Sequence, residues 1–93
     1  MVQPIYPREA RTRLIEGDIV LRLRLAKDGT VKKMTTARGN PILAESAEKA
    51  VAQWRYRPYL LNGKPVEVET EVTVRFRLSV KKRGASVSKS LGD

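Results

Sequence analysis

Val66-Glu67-Val68-Glu69-Thr70-Glu71-Val72-Thr73-Val74-Arg75-Phe76-Arg77-Leu78-Ser79-Val80 alternates apolar and polar side chains almost without a fault. Val66, Val68, Val72, Val74, Phe76, Leu78 and Val80 fall on one face, and Glu67, Glu69, Glu71, Thr73, Arg75, Arg77 and Ser79 on the other. Successive side chains of a strand point to opposite faces, so a period of two predicts one strand with a dry face and a wet face. At about 3.3 Å per residue such a strand is roughly 50 Å long, two to three times the usual length. A chain of 93 residues can hardly cover both edges of it. Unpaired backbone donors and acceptors along an edge invite another chain to pair with them. Binding by strand addition is the first functional expectation.

The charges on the wet face say what lies beside this strand. Its acids come first (Glu67, Glu69, Glu71) and its bases follow (Arg75, Arg77). Upstream, Ile19, Leu21, Leu23 and Leu25 alternate with Asp18, Val20, Arg22 and Arg24, and there the acids Glu16 and Asp18 precede the bases. Laid antiparallel, Asp18 faces Arg75, Arg22 faces Glu71 and Arg24 faces Glu69. The same register sets Leu21 against Val72 and Ile19 against Val74, and a one-residue slip would invert every face. Asp28-Gly29 then predicts a tight hairpin into a second strand from about Val31 to Ala37. Val31 and Met34 are out of phase in that strand, which calls for a bulge near Lys32-Lys33.

Asn40-Pro41 is a helix start, a cap followed by a residue suited to the first turn. Leu43, Ala47, Ala50, Val51 and Trp54 recur at helical spacing, with Glu45, Glu48, Lys49 and Gln53 opposite, so this helix lies on the sheet and ends by Pro58. Asn62-Gly63 marks a second tight turn, pairing Tyr59–Leu61 with Lys64–Val66 as a small arm. At the front, Gln3-Pro4-Ile5-Tyr6-Pro7 must be extended. Pro7 opens a short helix with Ala10 and Leu14 inward, stopped near Gly17. The tail from Lys81 to Asp93 has almost nothing apolar and is expected to be a disordered basic segment, leaving residues 1–80 as the domain. The fold class is therefore α+β: a two-layer domain whose three-stranded antiparallel sheet, in the order two, one, three, carries one main helix. A short N-terminal helix and a small hairpin arm complete it. The far edge of the long strand is expected to stay open.

Chemistry is sparse. The chain has no His and no Cys, so the commonest general base and the thiol nucleophile are missing, as are thiolate metal sites. Glu45 and Glu48 lie on a solvated helix face, no carboxylate cluster has metal-ligand spacing, and no Gly-rich loop is placed to cradle a phosphate. A non-enzyme without cofactor or metal is expected. Nineteen Lys and Arg against ten acids leave +9. That favours an anionic partner, whether nucleic acid, acidic lipid or an acidic peptide. No basic helical stripe and no nucleic-acid motif supports the first. No apolar run reaches the length of a membrane span and no signal peptide opens the chain, which reads as a module whose anchor lies elsewhere. Trp54 completes the helix's apolar face and is assigned to the core. Tyr56 and Tyr59, alternating with Arg55 and Arg57, are assigned to packing over the sheet end. For Gln3–Pro7, closing the core and meeting a partner weigh equally.

Taken in order, several short pieces resemble one family. They are the Gln3-Pro4-x-Tyr6-Pro7 start, Ala10, Ile15-Glu16-Gly17, Asp28-Gly29-x-Val31, Trp54-Arg55-Tyr56-Arg57-Pro58, Asn62-Gly63-Lys64-Pro65-Val66 and a terminal Val74-x-Phe76-x-Leu78 strand. Together, over residues 3 to 80, they resemble the C-terminal domain of TonB-type energy transducers, in its single-hairpin branch. The resemblance implies a periplasmic domain tethered to the inner membrane by a segment outside this chain, working with an ExbB–ExbD-like motor driven by the proton gradient. It implies capture of the Ton box, a short segment of a TonB-dependent outer-membrane transporter, as a strand added beside the last strand, and contact with the transporter's plug. Carried over by position, the partner-binding residues are Val72, Thr73, Val74, Arg75, Phe76 and Arg77 on the strand, and Gln3, Pro4, Tyr6 and Pro7 for the plug. Arg75, Arg77 and Arg38 are expected to favour an acidic segment. The same edge could pair with a second copy as a homodimer. The alternatives are a TonB-like or TolA-like adaptor for another periplasmic protein, and a basic nucleic-acid-binding module.

Overall fold

The computed structural model describes residues 2–78 and the main-chain path of 83–89. Along the chain these form α1 (Arg8–Thr12), β1 (Gly17–Leu25), β2 (Val31–Arg38), α2 (Pro41–Val51), β3 (Tyr59–Leu61), β4 (Lys64–Val66), β5 (Val68–Leu78) and β6 (Arg83–Lys89). The expected two-layer α+β domain is present: α2 lies on one face of an antiparallel sheet in which β2, β1 and β5 are neighbours in that order.

The register of β1 against β5 is the one the charges require. Asp18 pairs with Arg75, Ile19 with Val74, Leu21 with Val72, Arg22 with Glu71 and Arg24 with Glu69. On the outer face Arg22 meets Glu71 at 3.2 Å and Arg24 meets Glu69 at 2.6 Å. On the inner face Ile19, Leu21, Val72, Val74 and Phe76 are fully buried beneath Leu43, Ala47 and Val51 of α2. Val20, assigned to the wet face, is nonetheless only 8% exposed. In β2 the bulge falls where the phase demanded it: Leu25 pairs with Val31 but Arg24 with Lys33, so Lys32 is the extra residue.

The helix α2 opens as expected, with the Asn40 side chain accepting from the Ile42 N–H at 2.8 Å. Trp54 lies beyond the helix end and is still buried, its indole N–H donating to the Val2 carbonyl at 2.6 Å. The Asp28-Gly29 turn closes through Gly29 N–H to Ala26 O and Ala26 N–H to Thr30 O. Asn62 and Gly63 both have positive φ, 52° and 79°, which is the backbone of the two-residue turn that twists a hairpin correctly.

Several expectations are corrected. The 66–80 alternation is not one strand: Val66 pairs with Tyr59 in the arm, Glu67 intervenes, and β5 begins at Val68, paired with Leu25. Ser79 and Val80 lie outside the described residues. Leu14 does not face inward. The helix α1 ends before it in a Schellman turn, Ile15 N–H to Ala10 O and Leu14 N–H to Arg11 O, which holds Leu14 at φ 55° with its side chain 77% exposed. Gly17 opens β1 instead of ending the helix. Finally, the far edge of β5 is not open. Arg83–Lys89, in the segment expected to be disordered, pairs antiparallel with it and completes a four-stranded sheet, β2-β1-β5-β6.

Candidate functional site

Which way β5 turns its main-chain groups decides what its edge can do. The Leu78 N–H donates to a Glu16 carboxylate oxygen at 2.7 Å, toward the β1 side. Main-chain direction alternates along a strand, so Thr73, Arg75 and Arg77 turn their N–H and C=O groups to the opposite edge. That edge carries β6, in the register Thr73 with Ser88, Arg75 with Ser86 and Arg77 with Gly84. Pairing runs from Val72 to Leu78 without a register shift.

The sheet's other margin is built differently. Along β2 the register against β1 shifts twice, and Lys32 and Lys33 stand on the strand. Bulges and lysines are the usual protection of an edge against adventitious pairing. The regular ladder of β5 has no such protection, and its occupant is weak on composition. Arg83-Gly84-Ala85-Ser86-Val87-Ser88-Lys89 contains one β-branched residue, two serines and a glycine. Only the short alternation Ala85-Ser86-Val87-Ser88 hinted at a strand.

Each predicted partner-binding residue has a definite place. Val72, Val74 and Phe76 point their side chains into the core and, by the same alternation, turn their main-chain groups to β1. At this edge the hydrogen-bonding groups therefore come from Thr73, Arg75 and Arg77. Thr73 is half-buried and Arg75 and Arg77 are exposed on the outer face. Arg77 is tied to Asp18, Nη2 to Oδ1 at 2.8 Å. Arg38 sits on β2, at the far margin of the sheet, too distant to serve this edge.

In the N-terminal segment Pro4 and Tyr6 turn inward, while Gln3 and Ile5 are exposed and Pro7 is half-buried as the residue preceding α1. The Tyr6 hydroxyl donates to the Ile15 carbonyl at 2.6 Å, and burial raises its pKa. Its ring meets Phe76 edge-on, centroids 5.3 Å apart. Ser46 donates to the Ile5 carbonyl, fixing the segment along α2. Gln3, Ile5 and Pro7 thereby line a groove of about 290 Å³ with Ile42, Ser46 and Lys49. Tyr6 against Phe76 joins the two sets of predicted residues.

Acids and bases interleave on the outer sheet face. Lys32 meets Glu67 at 2.6 Å, and Arg24 bridges Glu67 and Glu69. The Lys32 hydrogen bond holds the Glu67 carboxyl below the ordinary glutamate range. The hydroxyl and amide of Thr30 do the same for Asp28. Among the described residues no group of three or more His, Cys, Asp or Glu could hold a metal ion, and no helix is long and apolar enough to cross a membrane.

Residues 2–78 match the family model described as Gram-negative bacterial TonB protein C-terminal. The chain is 38% identical over 79 residues to Protein TonB of Vibrio cholerae, across 83% of this chain and 32% of the relative. It is 29% identical over 85 residues to Protein TonB of Pseudomonas aeruginosa, across 89% of this chain and 24% of that protein. To Protein TonB of Klebsiella pneumoniae it is 29% identical over 80 residues. The chain thus spans a third or less of the length of these curated relatives. The family match ends where β5 ends, and β6 lies outside it.

Proposed function

The chain belongs to the Gram-negative bacterial TonB protein C-terminal family, and from that membership we propose that it is the periplasmic domain of a TonB-type energy transducer. It catches the Ton box of an outer-membrane transporter as a strand along β5, in the place β6 holds. The transducer is anchored in the inner membrane and coupled to the proton motive force by an ExbB–ExbD-like motor acting through a region outside this chain. It performs no covalent chemistry and needs no cofactor. The observation that carries the reading is the ladder from Val72 to Leu78, regular, unguarded and held by a segment of poor strand composition.

The mechanism is an exchange of strands. Thr73, Arg75 and Arg77 give their main-chain groups to β6 or to the Ton box, not to both. Backbone pairing ignores most side chains, so one domain serves many transporters. Because one ladder replaces another, the gain in hydrogen bonds is near zero. Apparent affinity is the intrinsic affinity scaled by the fraction of molecules with β6 released. The exposed Arg75 and Arg77 bias the exchange toward an acidic segment in a salt-sensitive way. Gln3 and Ile5, facing out beside α2, meet the transporter's plug, while Pro4 and Tyr6 hold that segment to the core. A second copy could use the same edge, which makes a homodimer a competing state.

Isothermal titration with an acidic Ton-box peptide tests this. Thr73→Pro removes a donor aimed at the contested edge and is expected to weaken binding at least tenfold while the helical circular dichroism stays unchanged. Undiminished binding by Thr73→Pro would refute edge pairing.

A further inference from the structure

The arm formed by β3 and β4 has no role in strand exchange, and it is oddly dressed for water. Tyr59, Leu60 and Leu61 are 51%, 55% and 59% exposed. Paired residues share a face, so Leu60 and Pro65 make one side of the ribbon apolar, and the other carries Tyr59, Val66 and Leu61 with Lys64 beside it at the tip. The two strands pack chiefly on each other. An isolated two-stranded hairpin is marginal in water, and consecutive exposed large apolar residues mark a contact surface. Exposed Leu14 stands singly and needs no such explanation, and exposed Ile5 lines the groove beside α2.

Charge identifies the occupant. From Trp54 to Val66 the chain has Arg55, Arg57 and Lys64 and not one acid. Arg55 and Arg57 are exposed at the base of the arm, and Lys64 stands beside the tip, opposite Leu61. A groove on another protein, or a second copy, would cover one side of a ribbon. Large apolar side chains on both sides, with two arginines and a tyrosine at the base and a lysine at the tip, suit a fluid that closes around the tip beneath a layer of negative charge. We propose that the Tyr59–Val66 arm is a membrane-contact element that sinks Leu60 and Leu61 into a bilayer surface bearing anionic phospholipid headgroups. Arg55, Arg57 and Lys64 lie at the level of the phosphates and Tyr59 at the boundary. The Asn62-Gly63 turn, with both residues at positive φ, keeps the tip narrow. The arm ends at Val66, and Val68, where β5 begins, precedes Thr73 by five residues, about 17 Å of strand, so lipid and partner strand do not compete for space.

Co-sedimentation of the whole chain with extruded vesicles tests the proposal. Vesicles containing phosphatidylglycerol are expected to retain the wild type, and pure phosphatidylcholine vesicles to release it. Leu60→Asp/Leu61→Asp is expected to lower partitioning onto the anionic vesicles at least tenfold, with circular dichroism unchanged. As an independent readout, Leu60→Trp is expected to add a blue-shifted emission component when anionic vesicles are present. Equal retention of wild type and the double variant would reduce the contact to net charge and overturn the proposal. Failure of the wild type to bind anionic vesicles would overturn it too, as would a dimer in sedimentation velocity that Leu60→Asp/Leu61→Asp dissolves.

Discussion

Arg77 Nη2 lies 2.8 Å from Asp18 Oδ1, although the residue facing Asp18 across the ladder is Arg75. The diagonal pair forms because an arginine side chain spans the offset between staggered neighbours. It leaves Arg75 as the cation on the β5 edge that Asp18 does not engage. Both partners of the pair are about half exposed, so its net contribution is small. Asp18→Asn is expected to shift unfolding stability by less than about 1 kcal/mol. The same change frees Arg77 and should tighten an acidic peptide at low salt, a gain that disappears as salt is raised. Paired denaturant melts and titrations at two salt concentrations measure both effects.

Leu14 occupies the left-handed region at φ 55°, where a side chain costs roughly 1–2 kcal/mol, and its own side chain is in solvent. Glycine removes that penalty and returns roughly half of it as unfolded-state entropy. Leu14→Gly is therefore expected to stabilise the domain by about 0.5–1 kcal/mol, read as a raised denaturant midpoint.

Gly29 has φ +90°, and a Cβ there would lie 1.9 Å from the Tyr56 carbonyl oxygen. Its own carbonyl accepts from the Tyr56 N–H at 2.9 Å, so backbone meets backbone and neither can yield cheaply. Gly29→Ala is expected to cost roughly 2 kcal/mol or more, measured by urea unfolding.

Glu67 and Asp28 both titrate below their ordinary values in the folded chain. A depressed carboxylate contributes stability that is full above the unfolded pKa and lost as pH falls through the folded one. Melting temperature should therefore fall on acidification below 4.5, the ordinary glutamate value. Glu67→Gln and Asp28→Asn should each flatten that fall, as thermal melts between neutral pH and pH about 3 would record.

Much of this was legible in the chain, for physical reasons. Opposite charge gradients on Asp18–Arg24 and Glu67–Arg77 admit one antiparallel register, and the phase error between Val31 and Met34 admits one bulge. The break at Glu67 was illegible because alternation reports which face a side chain takes, not which strand it pairs with. Val66 and Val68 share a period and have different partners. Leu14 misled because its spacing from Ala10 is helical, while the helix ends between them in a turn that glycine usually marks. The tail misled because Arg83–Lys89 has little to bury, and its pairing rests on main-chain groups that every sequence possesses. Of the candidate site, the far edge of β5 was read as open, and its resident strand was not foreseen.

A reversible lock on β6 tests most directly whether a partner strand must take its place. The chain has no cysteine, so Arg75→Cys with Ser86→Cys, register partners on β5 and β6, creates a single possible disulfide. With the bridge oxidised, Ton-box peptide binding should fall at least tenfold, and reduction should restore it. Equal affinity in the oxidised and reduced forms would contradict strand exchange at β5.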